Sequence, residues 1–161
     1  MSKQSLIDDP AQILLSARPG YLVRRLNQIH ASLFFEECKE FNVTPVQYGM
    51  LTAISALPGM DQTALGFELG LDRTNTADVL RRLEERGLVM REVSKQDGRV
   101  RNAFTTKEGE KIIKTMYPAM LRAQERLLEP LNEAENKKFM QLLHKILEGN
   151  NEYGRASMRA P

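Results

Sequence analysis

Between Asp61 and Thr105 the spacing of the apolar residues changes character, and this change constrains the fold more than any other feature of the chain. In "DQTALGFELG" and "LDRTNTADVLRRLEERG" the apolar residues recur at helical spacing, whereas "LVMREVS" and "RVRNAFT" read as extended runs. Asp61 can cap the first short helix, which should end near Gly70. Asp72 or Arg73 opens the second, with Ala77, Val79, Leu80 and Leu83 apolar, and Gly87 closes it. Two short helices joined by so tight a turn make a helix-turn-helix. Asp97–Gly98, between the extended runs, is the favoured dipeptide for a two-residue hairpin turn. A helix-turn-helix followed by a β-hairpin predicts a winged helix with the hairpin as its wing.

The flanks read as helices. After Pro19–Gly20, Leu22, Leu26, Ile29 and Leu33 recur at the helical period, with Val23, Phe34 and Phe41 broadening the stripe. Thr44 and Pro45 cap and open the next helix, which carries Met50, Leu51 and Ile54 and stops at Pro58–Gly59. Beyond the hairpin, Thr105 or Thr106 with Glu108 gives a capping signal, and Pro118 should kink the helix that follows unless that helix begins later. Asn132 and Glu135 form a second capping box ahead of Phe139, Leu142, Leu143, Ile146 and Leu147. These outer stripes exceed what a small winged-helix core needs, and a symmetric dimer would bury the excess. The expected fold is therefore mainly α with a small β-hairpin. Residues 1–44 hold an N-terminal extension and first dimerisation helix, 45–106 the winged helix, and 107–161 the C-terminal dimerisation helices.

The chain of 161 residues is long enough to bury one core without staples, and no apolar run approaches a membrane span. Its N-terminus lacks the apolar stretch of a signal peptide. Cys38 is the one cysteine, which excludes an internal disulfide, so a reducing cytoplasm is the expected location. His30, His144 and Cys38 have no metal-ligand spacing, and no nucleophile–base pair or phosphate loop suggests an enzyme. No cofactor is expected.

Net charge is only +2, so clustering matters more than the total. From Asp72 to Arg101 there are eight basic residues against six acids. A helix fits the major groove of DNA, where Arg pairs with guanine, Asn with adenine, and Thr with phosphate or a thymine methyl. The candidate contacts are Gln62 and Thr63 on the first helix and Arg73, Thr74, Asn75, Asp78 and Arg81 on the second. On the wing they are Arg99 and Arg101, which alternate with Val100 and so share one side of the strand. A wing tip there can reach the adjacent minor groove, where negative potential favours arginine. Asp97 belongs to the set as the residue expected to fix the turn or to hold one arginine by a bidentate pair. The alternative for these charges is a solvated surface on a protein-interaction module.

"LDRTNTADVLRRLEERGLVMREVSKQDGRVRNAFTTKEG" resembles the MarR family of bacterial transcriptional regulators. Asp97, Arg99 and the Thr105–Thr106 pair match the family's wing pattern, with Thr105 where leucine is usual. Thr76 stands where Val or Ile is more common, which should loosen the packing of that helix. "LEERGLV" followed by Arg91 also fits, and the resemblance runs from about Pro19 to Leu147. It implies a homodimer on a pseudo-palindromic double-stranded operator, most often as a repressor released by a small molecule.

"PGYLVRRLNQIH" is similar to the start of members that respond to aromatic acids, which nominates Arg24 and His30 as ligand groups. Tyr21, Phe34, Met50, Ile54, Met116 and Tyr117 are candidate walls. Six residues turn a helix by about 240°, so Arg24 and His30 do not share a face. Both reach one ligand only across the helix end or with one supplied by a partner subunit. The implied effector is a small aromatic carboxylate such as a hydroxybenzoate. An aromatic acyl-CoA thioester and oxidation of Cys38 are the alternatives. Glu36, Glu37 and Glu40 flank that thiol and disfavour its reactive thiolate.

Overall fold

Asp61, Asp72, Thr106 and Asn132 each place a side-chain oxygen on the backbone N–H of the third helical residue, and these caps punctuate most of the fold. The computed structural model describes residues 14–154. Its elements are α1 (Pro19–Cys38), α2 (Pro45–Ala56), α3 (Gln62–Leu69), α4 (Arg73–Glu85), β1 (Val89–Val93), β2 (Arg101–Thr105), α5 (Lys107–Leu128) and α6 (Glu133–Gly149). The fold is mainly helical with a two-stranded antiparallel hairpin, the winged helix-turn-helix expected. Most of the N-terminal extension, residues 1–13, lies outside the described residues.

Thr44 and Gln47 make a reciprocal capping box at the start of α2, with Pro45 in the first turn. Gly70 ends α3 in the left-handed conformation at φ 63°, and Gly87 does the same after α4 at φ 69°. Gly66 lets α3 and α4 approach closely, since a Cβ there would lie 3.1 Å from the Thr76 hydroxyl oxygen. Thr76 is fully buried and donates to the Asp72 carbonyl at 2.7 Å. The expected loosening at Thr76 is therefore corrected. The hydroxyl is satisfied within its own helix, and the side chain fits the space Gly66 leaves.

The hairpin turn also differs from its expectation. β1 and β2 pair from Val89–Thr105 to Val93–Arg101, with Ser94 N–H donating to the Val100 carbonyl at 2.8 Å beyond them. Seven residues, 94–100, therefore link the strands, and the turn itself runs from Asp97 to Val100, closed by Val100 N–H on the Asp97 carbonyl at 2.9 Å. Asp97 is its first residue, and Gly98 and Arg99 form its centre. The reason is local, because the Asp97 carboxylate accepts the Arg99 N–H at 3.0 Å and pins Asp97 at the head of the turn. Met60 and Gly59 extend the sheet on the other side of β2, each bonding Ala103 at 2.9 Å.

Thr106, not Thr105, caps α5, and its partner is Gly109 N–H, so Glu108 takes no part in the cap. α5 continues through Pro118 as one helix, leaving the Lys114 carbonyl without its usual helical donor.

Two apolar clusters hold the molecule. One unites α2, α3, α4 and the hairpin around Met50, Leu51, Ile54, Leu65, Leu80 and Leu83. The other packs α1 on α5 through Phe34, Cys38, Met116, Ala119 and Ala123. Tyr48 joins them, its hydroxyl donating to the Ile113 carbonyl at 3.1 Å. α6 contributes no buried side chain among the described residues and leaves Met140, Leu142, Ile146 and Leu147 exposed. Among these residues no helix is long and apolar enough to cross a membrane.

Candidate nucleic-acid interface

The starts of α3 and α4 and the root of the wing enclose a cleft of about 410 Å³, lined by Asp61, Gln62, Thr63, Arg73, Arg91, Arg99, Val100 and Arg101. Four arginines face one acid there, and that acid is committed to capping α3 through Ala64 N–H at 2.8 Å. Both helices also open toward the cleft, adding the partial positive charge of their N-terminal N–H groups. The local geometry follows from sequence. The helix-turn-helix brings Gln62 beside Arg73, whose carbonyl accepts the Gln62 amide at 3.2 Å. Arg99 and Arg101 both line the cleft, though Arg99 stands in the turn and only Arg101 in β2, so the strand alternation expected of them does not apply, and Val100 between them lines the cleft too.

The nominated DNA contacts are not equally available. Arg73, Thr74 and Thr63 are exposed at the helix starts. Asn75 is drawn back, its amide donating to the Asp72 carboxylate at 2.7 Å. Arg81 holds Asp78 and Glu85, each at 2.7 Å, and Arg82 shares Asp78 at 2.8 Å. The Arg81 guanidinium, foremost, holds the Asp78 carboxyl below the usual aspartate range. This chain of charges along α4 neutralises Arg81 within the helix. A phosphate or base would have to displace Asp78 or Glu85 to use it.

In the wing, Asp97 meets Arg99 through one carboxylate oxygen, which accepts both the backbone N–H at 3.0 Å and Nε at 3.3 Å. Of the two roles expected of Asp97, fixing the turn is the one seen, and its pairing with Arg99 is not bidentate. It positions the root of the Arg99 side chain, which stays 93% exposed.

Arg91 was absent from the candidate contacts, yet it lines the cleft. Its Nε and Nη2 both donate to Glu84 Oε2, at 3.0 and 2.5 Å, tying β1 to α4. The signal was present in the sequence, since Arg91 follows "LEERGLV" as the family pattern has it. Its partner, seven residues back on another element, was not.

The proposed ligand residues are scattered. Arg24 is exposed on α1 with its guanidinium 5.3 Å from the ring centre of Tyr21, a cation–π stack. His30 is half-buried against α5, with Nε2 3.4 Å from the Gln124 amide nitrogen and its ring 6.2 Å from that of Phe34. Tyr117 is exposed. Met50 and Ile54 are corrected from pocket walls to core. They have no exposed surface and pack inside the winged helix, and Met116 is likewise enclosed between α1 and α5. Phe34 borders a different cleft of about 290 Å³ at the α1–α2 junction, with Phe35, Cys38, Val43 and Thr44. Cys38 itself is buried, and burial, reinforced by the Glu37 charge, pushes its thiol above the ordinary range.

The sequence profile of the MarR family matches residues 43–100, which cover α2, the helix-turn-helix and most of the wing. The transcriptional regulator HosA of Escherichia coli is 34% identical over 125 residues, 78% of this chain and 91% of that protein. The transcriptional regulator PcaV from Streptomyces coelicolor, in complex with its natural ligand, superposes with a TM-score of 0.80 at 34% identity, covering 84% of this chain and 96% of that one. The transcriptional repressor CouR, bound to a 23-mer DNA duplex, superposes with a TM-score of 0.77 at 28% identity over 82% of this chain and 94% of its own.

Proposed function

This chain belongs to the MarR family and is a DNA-binding transcriptional regulator, not an enzyme; from that premise we propose that it is a homodimeric repressor of an aromatic-compound catabolic operon, released from a pseudo-palindromic operator by a small aromatic carboxylate such as a hydroxybenzoate. The observation that carries the DNA reading is the arginine-lined cleft between α3, α4 and the wing. CouR, of the same fold, is bound to a duplex in its solved structure, which supports double-stranded DNA as the partner.

The homodimer rests on α1, α5 and α6. Leu22, Val23 and Ile29 on α1, Leu121 on α5 and Met140, Leu142, Ile146 and Leu147 on α6 all remain exposed in the single chain. These side chains are already about half covered, so each one that a partner buries contributes about half of the roughly 1.5–3 kcal/mol of full burial. A two-fold axis would pair these rows with themselves. The two recognition helices would then lie about one DNA turn, roughly 34 Å, apart.

The effector reading rests on Arg24 and His30. In one chain Arg24 is exposed near the start of α1 while His30 faces α5. A ligand touching both lies across the helix end or spans two protomers, with the Arg24 fork on its carboxylate and His30 on a ring hydroxyl or carboxylate. An acyl-CoA thioester would use the same arginine. Oxidation of Cys38 is disfavoured by its burial and its raised thiol pKa.

The deciding experiment is fluorescence anisotropy on the protein's own upstream DNA, titrated with benzoate, hydroxybenzoates, cinnamates and their CoA thioesters. Release by one hydroxybenzoate at micromolar concentration supports the reading. Tight binding that none of them disturbs removes the aromatic carboxylate. In the same assay Arg24→Ala should keep its DNA affinity and lose the response to the effector, and a normal response would take Arg24 out of the site. Arg99→Ala should weaken operator binding about tenfold with the dimer intact by analytical ultracentrifugation. Unchanged affinity would mean that Arg99 does not enter the groove.

A further inference from the structure

Arg86 ends α4 and points away from the DNA-facing cleft. Its guanidinium donates from Nη1 to the Asn42 carbonyl at 2.6 Å and from Nη2 to the Phe41 carbonyl at 3.1 Å. These carbonyls stand at the end of the 3-10 turn Lys39–Phe41 that extends α1, which Asn42 N–H closes on the Lys39 carbonyl at 3.2 Å, and Asn42 reverses the chain there at φ 50°. One planar group thus grips the end of the first helix from the end of the recognition helix. Two carbonyls held by one fork fix direction as well as distance, which a single bond does not. The charge also suits its place, because α4 and the α1 extension both end there with partial negative charge, and a cation between them is attracted to both.

The position has mechanical reach. α1 packs mainly on α5, while α4 packs on α2, α3 and β1, so the two helices have little direct contact of their own. Gly87 follows Arg86 and turns the chain into β1, with Leu88 N–H bonding back to the Leu83 carbonyl at 3.0 Å. A shift of Arg86 therefore moves the recognition helix and the root of the wing together.

We propose that Arg86 is a positioning residue that holds the recognition helix at a set angle to the dimerisation helices and thereby sets the half-site spacing the protein accepts. This inference rests on the homodimer reading above. In a rigid dimer, one base pair inserted at the operator centre displaces the second half-site by about 3.4 Å and rotates it by about 34°. A recognition helix clamped to α1 cannot follow both changes. One released from the clamp can pivot on its α2 and α3 contacts and follow in part.

The test is in vitro selection from a random duplex library with the full-length dimer, comparing wild type with Arg86→Ala, Arg86→Gln and Arg86→Lys. Wild type should return pseudo-palindromes of one centre-to-centre spacing. Arg86→Ala and Arg86→Gln should return a spread of at least one base pair either side. Their preference for the selected operator over its one-base-pair insertion should fall about tenfold. Arg86→Lys, with a charge but no planar fork, should lie between. A purely supportive role would lower the melting temperature without touching spacing, so Gln or Ala variants that discriminate spacing as wild type does overturn the proposal, whatever their stability. Should Ala fail to fold, Gln retains the aliphatic stem and gives the same readout. Selection of single half-sites by wild type would overturn the homodimer reading and this inference with it, an outcome distinct from unchanged spacing in the variants.

Discussion

Raising the salt from 50 to 200 mM should weaken operator binding by about a thousandfold. The size follows from counting arginines. Arg73, Arg99 and Arg101 line the cleft as exposed residues, while Arg91 is held by Glu84 and Arg81 by Asp78 and Glu85. Three available arginines in each protomer make six in the proposed dimer, and six phosphate contacts give a fall of about 10³ over this range. Phosphates release condensed counterions when arginines replace them, so log affinity falls linearly with log salt. The slope reports the number of contacts independently of sequence. Arg101→Ala removes one arginine from each protomer and should make that slope shallower by about 2. Anisotropy titrations at four salt concentrations measure both quantities. A slope near zero for wild type would mean that this cleft faces something other than phosphate.

Gly109→Ala should destabilise the protein by about 3 kcal/mol, although replacing glycine by alanine inside a helix ordinarily gains about 1 kcal/mol. A Cβ at Gly109 would stand 2.1 Å from the Leu88 carbonyl oxygen and 3.2 Å from its carbon. The obstacle is backbone that cannot step aside. Leu88 accepts the Thr106 N–H at 3.1 Å, and the Thr106 hydroxyl donates to the Gly87 carbonyl at 2.6 Å. The start of β1 and the start of α5 are thus joined at Gly109, the point where the winged helix meets the long helices. Thermal unfolding at fixed protein concentration should show a fall of about 6–12 °C, for a domain of this size. Gly149→Ala is the control, because nothing lies within 4 Å of a Cβ there, and it should be neutral or slightly stabilising. Equal melting temperatures for the Gly109 variant and wild type would show that α5 can draw back from Leu88 at little cost.

Much of the architecture was legible in the sequence because its signals are local. The caps Asp61, Asp72 and Asn132, the glycines at the ends of α3 and α4, and the change of period at Val89 all act within a few residues. Gln62, Thr63, Arg73, Arg99 and Arg101 were each nominated from the chain as DNA contacts, given the helix-turn-helix and the wing, and the fold gathers them around one cleft.

What the tertiary structure decided concerns pairs that sequence distance hides. Arg91 finds Glu84, and Arg86 finds the carbonyls of Phe41 and Asn42, because the fold brings a strand or a loop against the end of α4. Met50 and Ile54 carry the apolar character of a pocket wall, yet they face a packed core, a difference set by which neighbours fill the space around them. Asp97–Gly98 reads as a two-residue turn until the carboxylate takes the Arg99 N–H and moves the turn one place along. An ion's availability likewise depends on its partner. Here the cause is local, because Asp78 and Glu85 stand three and four residues from Arg81 on the same helix and neutralise it, while Arg73 stays exposed. Backbone preferences act over three or four residues and are written in order along the chain, whereas packing and charge pairing act over a few ångströms between side chains that only the folded molecule brings together.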